Sequence, residues 1–329
     1  MKKFLALVLA VMMVLAVAVS ANAEWKPTKG IKAFLGYGAG GTTDNIVRPL
    51  FSVASNFLGQ IINVENLSGG SGSISWAEGC EAAPDGYSLI CGAETCALYD
   101  MYDLVPYTSD SVNVLMVIAD TPNFLYVRKD SPYETVEDLF NAELAKPGTV
   151  LKTASGTVGI NATTSAVYKA VVGVDFDAYT ADSSSSAVVT VLGGFADFGF
   201  SAYANIKDYV DSGDVRILCS NSNTRIIEDI PCITEYYPEM TDFFPLNAFY
   251  CVALNPECTQ DMVDTYTEAL TAAYNDESFR AAMENYGVNL LGLTGQEAND
   301  YIRNFRVAAA KALINAGAIN KTMADLGLE

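Results

Sequence analysis

The stretch Phe34-Leu35-Gly36-Tyr37-Gly38-Ala39-Gly40-Gly41-Thr42-Thr43-Asp44 decides the fold. A short β-type run, residues 30–35, precedes the glycines, and a helix-type run, residues 44–51, follows them. Glycines between a strand and a helix leave bare backbone N–H groups beside the positive end of the helix dipole. The stretch therefore predicts an α/β unit with a loop that can hold an anion.

Two other interpretations of this loop have to be weighed. It can be no more than a turn. Its spacing, Gly36-x-Gly38-x-x-Gly41, also fits a dinucleotide-binding fingerprint, and Glu65 ends the next strand-like run where a ribose partner would lie. A nucleotide-dependent oxidoreductase is disfavoured because a second glycine loop, residues 69–72, has no role in it. The chain also contains no histidine to carry protons.

The N-terminus has the three parts of a secretory leader: basic Lys2-Lys3, an apolar run over 4–19, and Ala21-Asn22-Ala23 before a cleavage point. The apolar run is shorter than the roughly 20 residues that span a bilayer. We expect residues 1–23 to be a signal peptide that is removed after Ala23. The first cysteine is Cys80, so we expect no lipid anchor and a periplasmic location.

Composition excludes several classes of protein. A net charge of −20 disfavours binding to nucleic acid or to an anionic membrane. The absence of histidine excludes Ser-His-Asp and Cys-His catalysis and histidine-ligated metal sites. We therefore expect no catalytic residues, no metal and no cofactor. The seven cysteines form no C-x-x-C motif, and we expect them to be buried free thiols, although pairing of some stays open for an exported chain.

The order of elements predicts two α/β lobes. A second strand–loop–helix unit follows the first: strand 151–154, the loop Ser155-Gly156-Thr157-Val158-Gly159-Ile160-Asn161, and a helix to Val172. A serine run, 183–186, begins another helix. Further helix starts are predicted at Ser131 and at a Thr294–Glu297 capping box. We predict a two-lobed clamshell similar to periplasmic binding proteins, in which each lobe is a mixed sheet flanked by helices and two crossing strands join the lobes. Lobe 1 would be 24–124 and 247–329, and lobe 2 would be 125–246.

These residues resemble a known family, the extracytoplasmic solute receptors of tripartite tricarboxylate transporters, also called the Bug (TctC-like) family. The loop 36–44 looks like the family's Pro-Tyr/Phe-x-Pro-Gly-Gly-x-x-Asp. The segments 64–66, 69–72 and 83–87 are similar to its VEN…G.GG…A.PDGY.L run. The resemblance covers essentially the whole chain after residue 23 and implies the same two-lobed fold.

The chain departs from the family pattern at the implied site. Gly36 and Ala39 replace the two prolines of the first loop, and Ile160 stands where a serine is usual. Thr163 or Thr164 stands near the family's histidine, and Ser201-Ala202 replaces an Asp-Asn pair. These changes leave the identity of the ligand open while the fold is still expected.

The resemblance implies that the first loop holds one carboxylate of an organic acid and that the second loop and neighbouring serines hold its other end. None of these loops contains Lys or Arg, and Arg48, the nearest, is expected at the surface or between the lobes. The expected binding residues are Tyr37, Gly38, Ala39, Gly40, Gly41, Thr42, Asp44, Ser155, Gly156, Thr157, Gly159, Ile160, Asn161, Ser183, Ser184 and Ser201.

The implied function is capture of a small di-, tri- or other carboxylate and its delivery to the membrane permease subunits of such a transporter. The protein would not be an enzyme, would act as a monomer and would have no nucleic-acid partner. An exported receptor that feeds a sensor kinase is an alternative that the sequence leaves open.

Overall fold

The computed structural model describes residues 25–155, 158–181, 183–244, 246–286 and 288–329. The predicted signal peptide, the predicted site residues Gly156 and Thr157, and the side chain of Ser155 lie outside the described residues.

The strands and helices alternate through much of the chain, as the sequence predicts. The strands are β1 Ile31–Leu35, β2 Ile62–Asn66, β3 Ser88–Ala93, β4 Asn113–Thr121, β5 Phe124–Arg128, β6 Leu151–Ser155, β7 Asp177–Ala181, β8 Phe198–Ser201, β9 Val215–Ser220, β10 Ala248–Leu254 and β11 Asn289–Leu293. The helices are α1 Thr42–Leu58, α2 Ser73–Glu81, α3 Val136–Ala145, α4 Ile160–Val172, α5 Ser184–Leu192, α6 Tyr203–Asp211, α7 Ile233–Tyr236, α8 Gln260–Tyr274, α9 Glu277–Tyr286 and α10 Gly295–Asn315. Short 3₁₀ turns lie at Gly70–Gly72, Glu94–Ala97, Ser109–Ser111 and Pro238–Phe243.

The strands form two mixed sheets, which confirms the predicted two-lobed α/β fold. The first sheet has the order β11-β4-β10-β3-β1-β2 and the second has the order β7-β6-β8-β5-β9. In the first sheet β1 pairs in parallel with β2 and β3, whereas β10 is antiparallel to β3 and β4. In the second, β6 is parallel to β7 and β8, and β5 is antiparallel to β8 and β9. We call the first sheet with its helices lobe 1 and the second with its helices lobe 2.

The chain passes between the sheets twice. It crosses at residues 122–123, between β4 and β5, and returns over residues 221–247, between β9 and β10. The crossings are therefore connections between strands: β4 and β10 belong to the first sheet alone, and β5 and β9 belong to the second sheet alone. The exact lobe limits that the sequence suggests, at 124/125 and 246/247, stay a prediction.

Helix α1 shows how the sequence sets an element. Its buried apolar side chains recur at helical spacing and form the face that packs on the sheet; they are Ile46, Val47, Leu50, Phe51 and Ala54. The helix ends at Gly59, which has φ 65° in the left-handed region, as the predicted glycine stop requires.

One predicted helix start and one predicted capping box need correction. Helix α3 begins at Val136 rather than next to Ser131, because Thr135 and Asp138 form a reciprocal capping box. The Thr135 hydroxyl accepts from the Asp138 N–H at 3.1 Å, and the Asp138 carboxylate accepts from the Thr135 N–H at 2.9 Å. Thr294 does precede α10, but its side chain makes no capping hydrogen bond, so the predicted capping box is wrong.

The register of the strands brings several strand ends to one edge of each sheet. In lobe 1, Ala93 at the end of β3 lies opposite Tyr250, and Thr121 at the end of β4 lies opposite Ala248. In lobe 2, the start of β5 lies opposite Ser201 at the end of β8. Ligands of open α/β sheets bind at such edges, which makes them the place to look for a site.

All seven cysteines are buried and unpaired, as predicted. Burial raises the pKa of the Cys80 thiol to about 12 and raises the pKa of Cys91 and Cys219 as well, so these groups are neutral thiols near pH 7. In the part of the chain that the structure describes, no helix combines the length and the apolar character that a membrane span requires.

Candidate functional site

A cavity of about 60 Å³ lies between the two lobes. This is room for a few water molecules or a small solute, since one water needs roughly 10–15 Å³ on this measure. Its lining is Tyr37, Gly41, Thr42, Thr43, Ala93, Glu94, Thr121, Asn123, Ile160, Asn161, Ser183, Ser184, Phe200, Ser201, Ala202, Asn205, Ala248 and Tyr250. The predicted residues that the structure brings together here are Tyr37, Gly41, Thr42, Ile160, Asn161, Ser183, Ser184 and Ser201.

Four helices direct their N-terminal ends at this cavity. The lining contains the first residues of α1 and α4, the cap and first residue of α5, and Ala202, which caps α6. The first N–H groups of a helix have no partner within the helix, and each N-terminus carries about half a positive charge. The described lining contains no Lys or Arg, so positive potential in the cavity comes from helix ends.

Hydroxyl and amide groups from both lobes meet beside these helix ends. The Thr42 hydroxyl of lobe 1 lies 3.1 Å from the Ser184 hydroxyl of lobe 2. The Asn205 amide donates to the Thr42 hydroxyl at 3.0 Å and to the Ser201 hydroxyl at 3.2 Å. Side chains of α1, α5 and α6 therefore form one network of neutral donors and acceptors.

The binding role expected of the tip of the first loop stays a prediction, because two of its N–H groups have acceptors within the chain in this structure. Gly38, Ala39, Gly40 and Asp44 are outside the cavity lining. The Gly40 N–H donates to the Asp44 carboxylate at 3.0 Å, and the Gly41 N–H donates to the Gly38 carbonyl at 3.2 Å. Two of the N–H groups expected to bind a ligand therefore donate hydrogen bonds within the chain instead.

Asp44, which is buried, is the centre of a polar cluster that fixes the loop. Its carboxylate also accepts from Arg48 Nε at 2.8 Å and from Asn66 Nδ2 at 3.1 Å. Asn66 donates in addition to the Tyr37 carbonyl at 2.8 Å. Arg48 thus has a structural partner, and the cluster orients the loop so that Tyr37 and Gly41 reach the cavity.

At Gly36 the structure leaves no room for a side chain. A Cβ atom at Gly36 would lie 2.4 Å from the Cα atom of Gly72, well inside contact distance. The backbones of the two glycine-rich turns therefore touch, and only glycine fits at this crossing.

The second loop lies against a residue of the other lobe. Gly159 has φ 126°, and a Cβ atom there would lie 2.8 Å from Glu94 Oε1. The bare glycine lets the Glu94 carboxylate accept the Ile160 N–H at 2.8 Å, across the two lobes. Gly159 itself is outside the lining, whereas Ile160 and Asn161 are in it.

Glu94 has a perturbed pKa. It is 6 % exposed, and burial raises the pKa of its carboxyl to about 7. The backbone N–H groups of Ile160 and of Glu94 itself act in the opposite direction. Burial is the larger cause, so the cavity contains an acid that titrates near neutral pH.

Sequence reasoning missed ten of the lining residues. They are Thr43, Ala93, Glu94, Thr121, Asn123, Phe200, Ala202, Asn205, Ala248 and Tyr250. The signal that could have found most of them is position, because they stand at strand ends on the sheet edges where such folds place ligands. Several are held by side-chain bonds: the Thr121 and Tyr250 hydroxyls lie 2.9 Å apart, and Asn123 donates to Asn161 at 3.0 Å.

Two lobes, each a mixed sheet flanked by helices, with a polar cavity between them, define the class of solute-binding receptors. Residues 46–319 match the family model described as tripartite tricarboxylate transporter family receptor, TctC. This match covers well over half of the chain. The chain therefore belongs to the TctC family and is a solute-binding receptor rather than an enzyme.

Individual relatives agree with this assignment. A UPF0065 protein in the gbd 5′ region of Cupriavidus necator is 27 % identical over 284 residues, which is 83 % of this chain and 85 % of the relative. The structure of the periplasmic binding protein BugD aligns with a TM-score of 0.80 at 20 % identity, over 89 % of this chain and 99 % of BugD. R. palustris Rpa4515 with adipate also aligns at 0.80, with 21 % identity over 88 % of this chain and 98 % of that protein. The two structural likenesses support the fold.

Proposed function

We propose that this receptor captures a small carboxylated solute in the interlobe cavity and delivers it to a membrane permease of the tripartite tricarboxylate type. The observation that carries the proposal is the convergence of four helix N-termini on one cavity. The Ile160 N–H of α4 already has Glu94 as its acceptor, which leaves the N-termini of α1, α5 and α6 to hold an anion. Helix N-termini bind carboxylate and phosphate groups through free N–H groups and the helix dipole. A chain with a net charge of −20 repels anions at long range, so local donors of this kind have to hold one.

The comparisons support the carboxylate class and the partner. Adipate, the ligand named for Rpa4515, is a dicarboxylate, and the family description names a tricarboxylate transporter. The leader-like residues 1–23 and the periplasmic relatives support export to the periplasm.

We assign the carboxylate to the start of α1 and to the hydroxyls facing it, not to the tip of the first loop. The Gly40 and Gly41 N–H groups already have acceptors, whereas Thr42, Ser184 and Asn205 line the cavity. A hydrogen bond to a charged ligand group is worth about 1.5–3 kcal/mol, so several neutral donors can replace an arginine. Bridging waters can add further bonds.

A calorimetric titration with matched variants tests the proposal. The protein is unfolded and refolded to remove any ligand and is then titrated with mono-, di- and tricarboxylates and amino acids. Thr42→Val removes the hydroxyl from the cavity and keeps the side-chain shape. Thr190→Val makes the same change in α5, where the hydroxyl donates to the Ser186 carbonyl at 2.9 Å and has no other partner among the described residues.

We expect the wild type to bind at least one carboxylated compound. Thr42→Val should weaken that binding by about 1 kcal/mol, which is roughly fivefold, because a hydroxyl contact is lost. Thr190→Val should bind as the wild type does. Binding of no carboxylate by the refolded protein would contradict the proposal, and equal affinity of all three proteins would remove Thr42 from the site.

A further inference from the structure

The cavity is chemically asymmetric, because its described lining contains one charged side chain and that side chain is an acid. Glu94 follows the end of β3 in lobe 1 and is 6 % exposed. The helix ends and hydroxyls described above supply donors to the cavity. The same small volume thus contains donors that suit an anion and a carboxylate that suits a cation.

Glu94 has no cationic partner among the described residues. Its carboxylate is stabilised by backbone N–H groups, from Ile160 at 2.8 Å and from Glu94 itself. The nearby titratable groups are neutral near pH 7, since burial raises the pKa of Tyr37, Tyr99, Tyr250 and Cys96.

Arg306, a buried arginine that acts on Cys96, is already engaged by another acid. It makes two 2.8 Å bonds to the Asp100 carboxylate. Burying a carboxylate without a cation is costly, and burial holds the pKa of Glu94 at about 7 as a result. A cation supplied by a ligand would relieve this cost.

A dicarboxylate is poorly matched to such a cavity when Glu94 is ionised, at a pH above its pKa of about 7. Glu94 is one of the residues that line this cavity of about 60 Å³, so we expect a bound ligand to approach its carboxylate. Like charges that are close together in a water-poor site repel strongly. A zwitterion avoids this repulsion and is also not repelled at long range by a chain of net charge −20.

We propose that the ligand of this receptor carries a cationic nitrogen, which pairs with Glu94, as well as a carboxylate, which is held at the helix N-termini: a small amino acid or a similar zwitterion. This inference rests on the proposed function, because it takes the carboxylate as given. Glu94 is then the residue that separates amino acids from diacids of the same length.

The test compares ligands that differ only at one end. In three pairs the two members have the same methylene spacer and differ in one end group, which is an ammonium or a carboxylate: glycine and malonate, β-alanine and succinate, and 4-aminobutyrate and glutarate. A fourth pair, L-aspartate and succinate, differs by the ammonium group alone. Each is titrated calorimetrically at pH 8 into the wild type, into Glu94→Gln, and into Glu78→Gln. The last variant removes the same charge from an exposed position of α2.

In the pairs that fit the cavity, the wild type and Glu78→Gln should bind the ammonium member more tightly. Glu94→Gln should lose about 10- to 100-fold in affinity for it, the range expected when a charged hydrogen-bond partner is removed. The glutamine can still accept the Ile160 N–H, so the melting temperature without ligand should show a folded protein. Glu94→Gln should bind the diacid member as well as the wild type does, or better.

The pH dependence gives a second measurement. Affinity for the ammonium ligand should fall as the pH drops below about 7, because Glu94 takes up a proton there, and this slope should vanish in Glu94→Gln. A wild type that binds the diacid member more tightly at pH 8, with no change in Glu94→Gln, overturns the inference and leaves the carboxylate proposal standing. If neither member of any pair binds, the inference fails, whereas the carboxylate proposal is decided by the wider panel of mono-, di- and tricarboxylates above.

Discussion

The molecule has two strand–glycine loop–helix units, β1 to α1 and β6 to α4. In each unit a carboxylate accepts a backbone N–H near the start of the helix, but the two carboxylates come from different parts of the chain. In the first unit Asp44, a residue of α1 itself, accepts the Gly40 N–H at 3.0 Å. In the second unit the Ile160 N–H, at the start of α4, donates to Glu94 of the opposite lobe at 2.8 Å. The same local motif is closed by a neighbour in one lobe and by a distant residue in the other.

This difference indicates that lobe closure affects the two loops differently. The first loop is held mainly by contacts within lobe 1, from Asp44, Arg48 and Asn66. Lobe 2 adds one weaker bond, in which the Ser185 hydroxyl donates to the Gly40 carbonyl at 3.3 Å. The second loop gains Glu94 only when the lobes are together, and the Val158 N–H likewise reaches the Ser71 hydroxyl across the lobes at 3.2 Å. We therefore expect the first loop to change little during hinge motion. The interlobe hydrogen bonds of the second loop should form when the lobes close and break when they open.

We expect the largest effect from a substitution that disrupts the first loop. Gly36→Ala puts a Cβ atom 2.4 Å from the Gly72 Cα atom, and backbone cannot give way as a flexible side chain can. We expect a loss of about 3 kcal/mol in the free energy of unfolding, at the upper end of what overpacking costs. Urea unfolding measures it.

The matched control for this change is Gly30→Ala. There the nearest atom to a new Cβ, Asn63 Nδ2, lies at an ordinary 3.5 Å. Its stability should stay within about 0.5 kcal/mol of the wild type. Equal stability of Gly36→Ala and the wild type would show that the two glycine-rich turns do not touch as described.

Smaller effects are expected when the two carboxylates, Asp44 and Glu94, are each replaced by the matching amide. Asp44→Asn replaces two acceptor oxygens by one and removes the charge that Arg48 pairs with, and we expect it to cost about 2 kcal/mol of unfolding free energy at pH 8. Glu94→Gln should cost nothing or should stabilise, because it removes a poorly compensated buried charge and keeps an acceptor for Ile160. Asp229→Asn, at an exposed position, is the control for Asp44→Asn. The reverse order, with Glu94→Gln the more destabilising change, would contradict the distinction.

The sequence predicted those parts of the fold that rest on local rules. The stop of α1 at Gly59 follows from a glycine in the left-handed region, and the buried face of α1 follows from helical spacing. The start of α3 was misplaced because Ser131-Pro132 and Thr135–Asp138 both read as caps, and only the packed chain selects the pair that satisfies two N–H groups.

The candidate site was predicted in part, for a physical reason. Residues of helix starts, such as Thr42, Asn161 and Ser184, are recognisable because the loop before them is recognisable. Glu94 stands in Cys91-Gly92-Ala93-Glu94-Thr95-Cys96, an apolar context without a motif, and its position in the cavity depends on the pairing of β3 with β10. The engagement of Gly40 by Asp44 is a side-chain contact that spacing alone does not reveal.

The most direct test of the central claim is to identify the compound that the purified protein carries. The protein is desalted and denatured, and the released small molecules are identified by mass spectrometry. The released compound is then added back to refolded protein while the melting temperature is measured. At 100 times its dissociation constant a ligand adds about 2.7 kcal/mol of stability, which is an easily measured shift. We predict a compound with at least one carboxylate that restores the higher melting temperature. A released compound that stabilises the protein but has no carboxylate, such as a neutral sugar, would contradict the account.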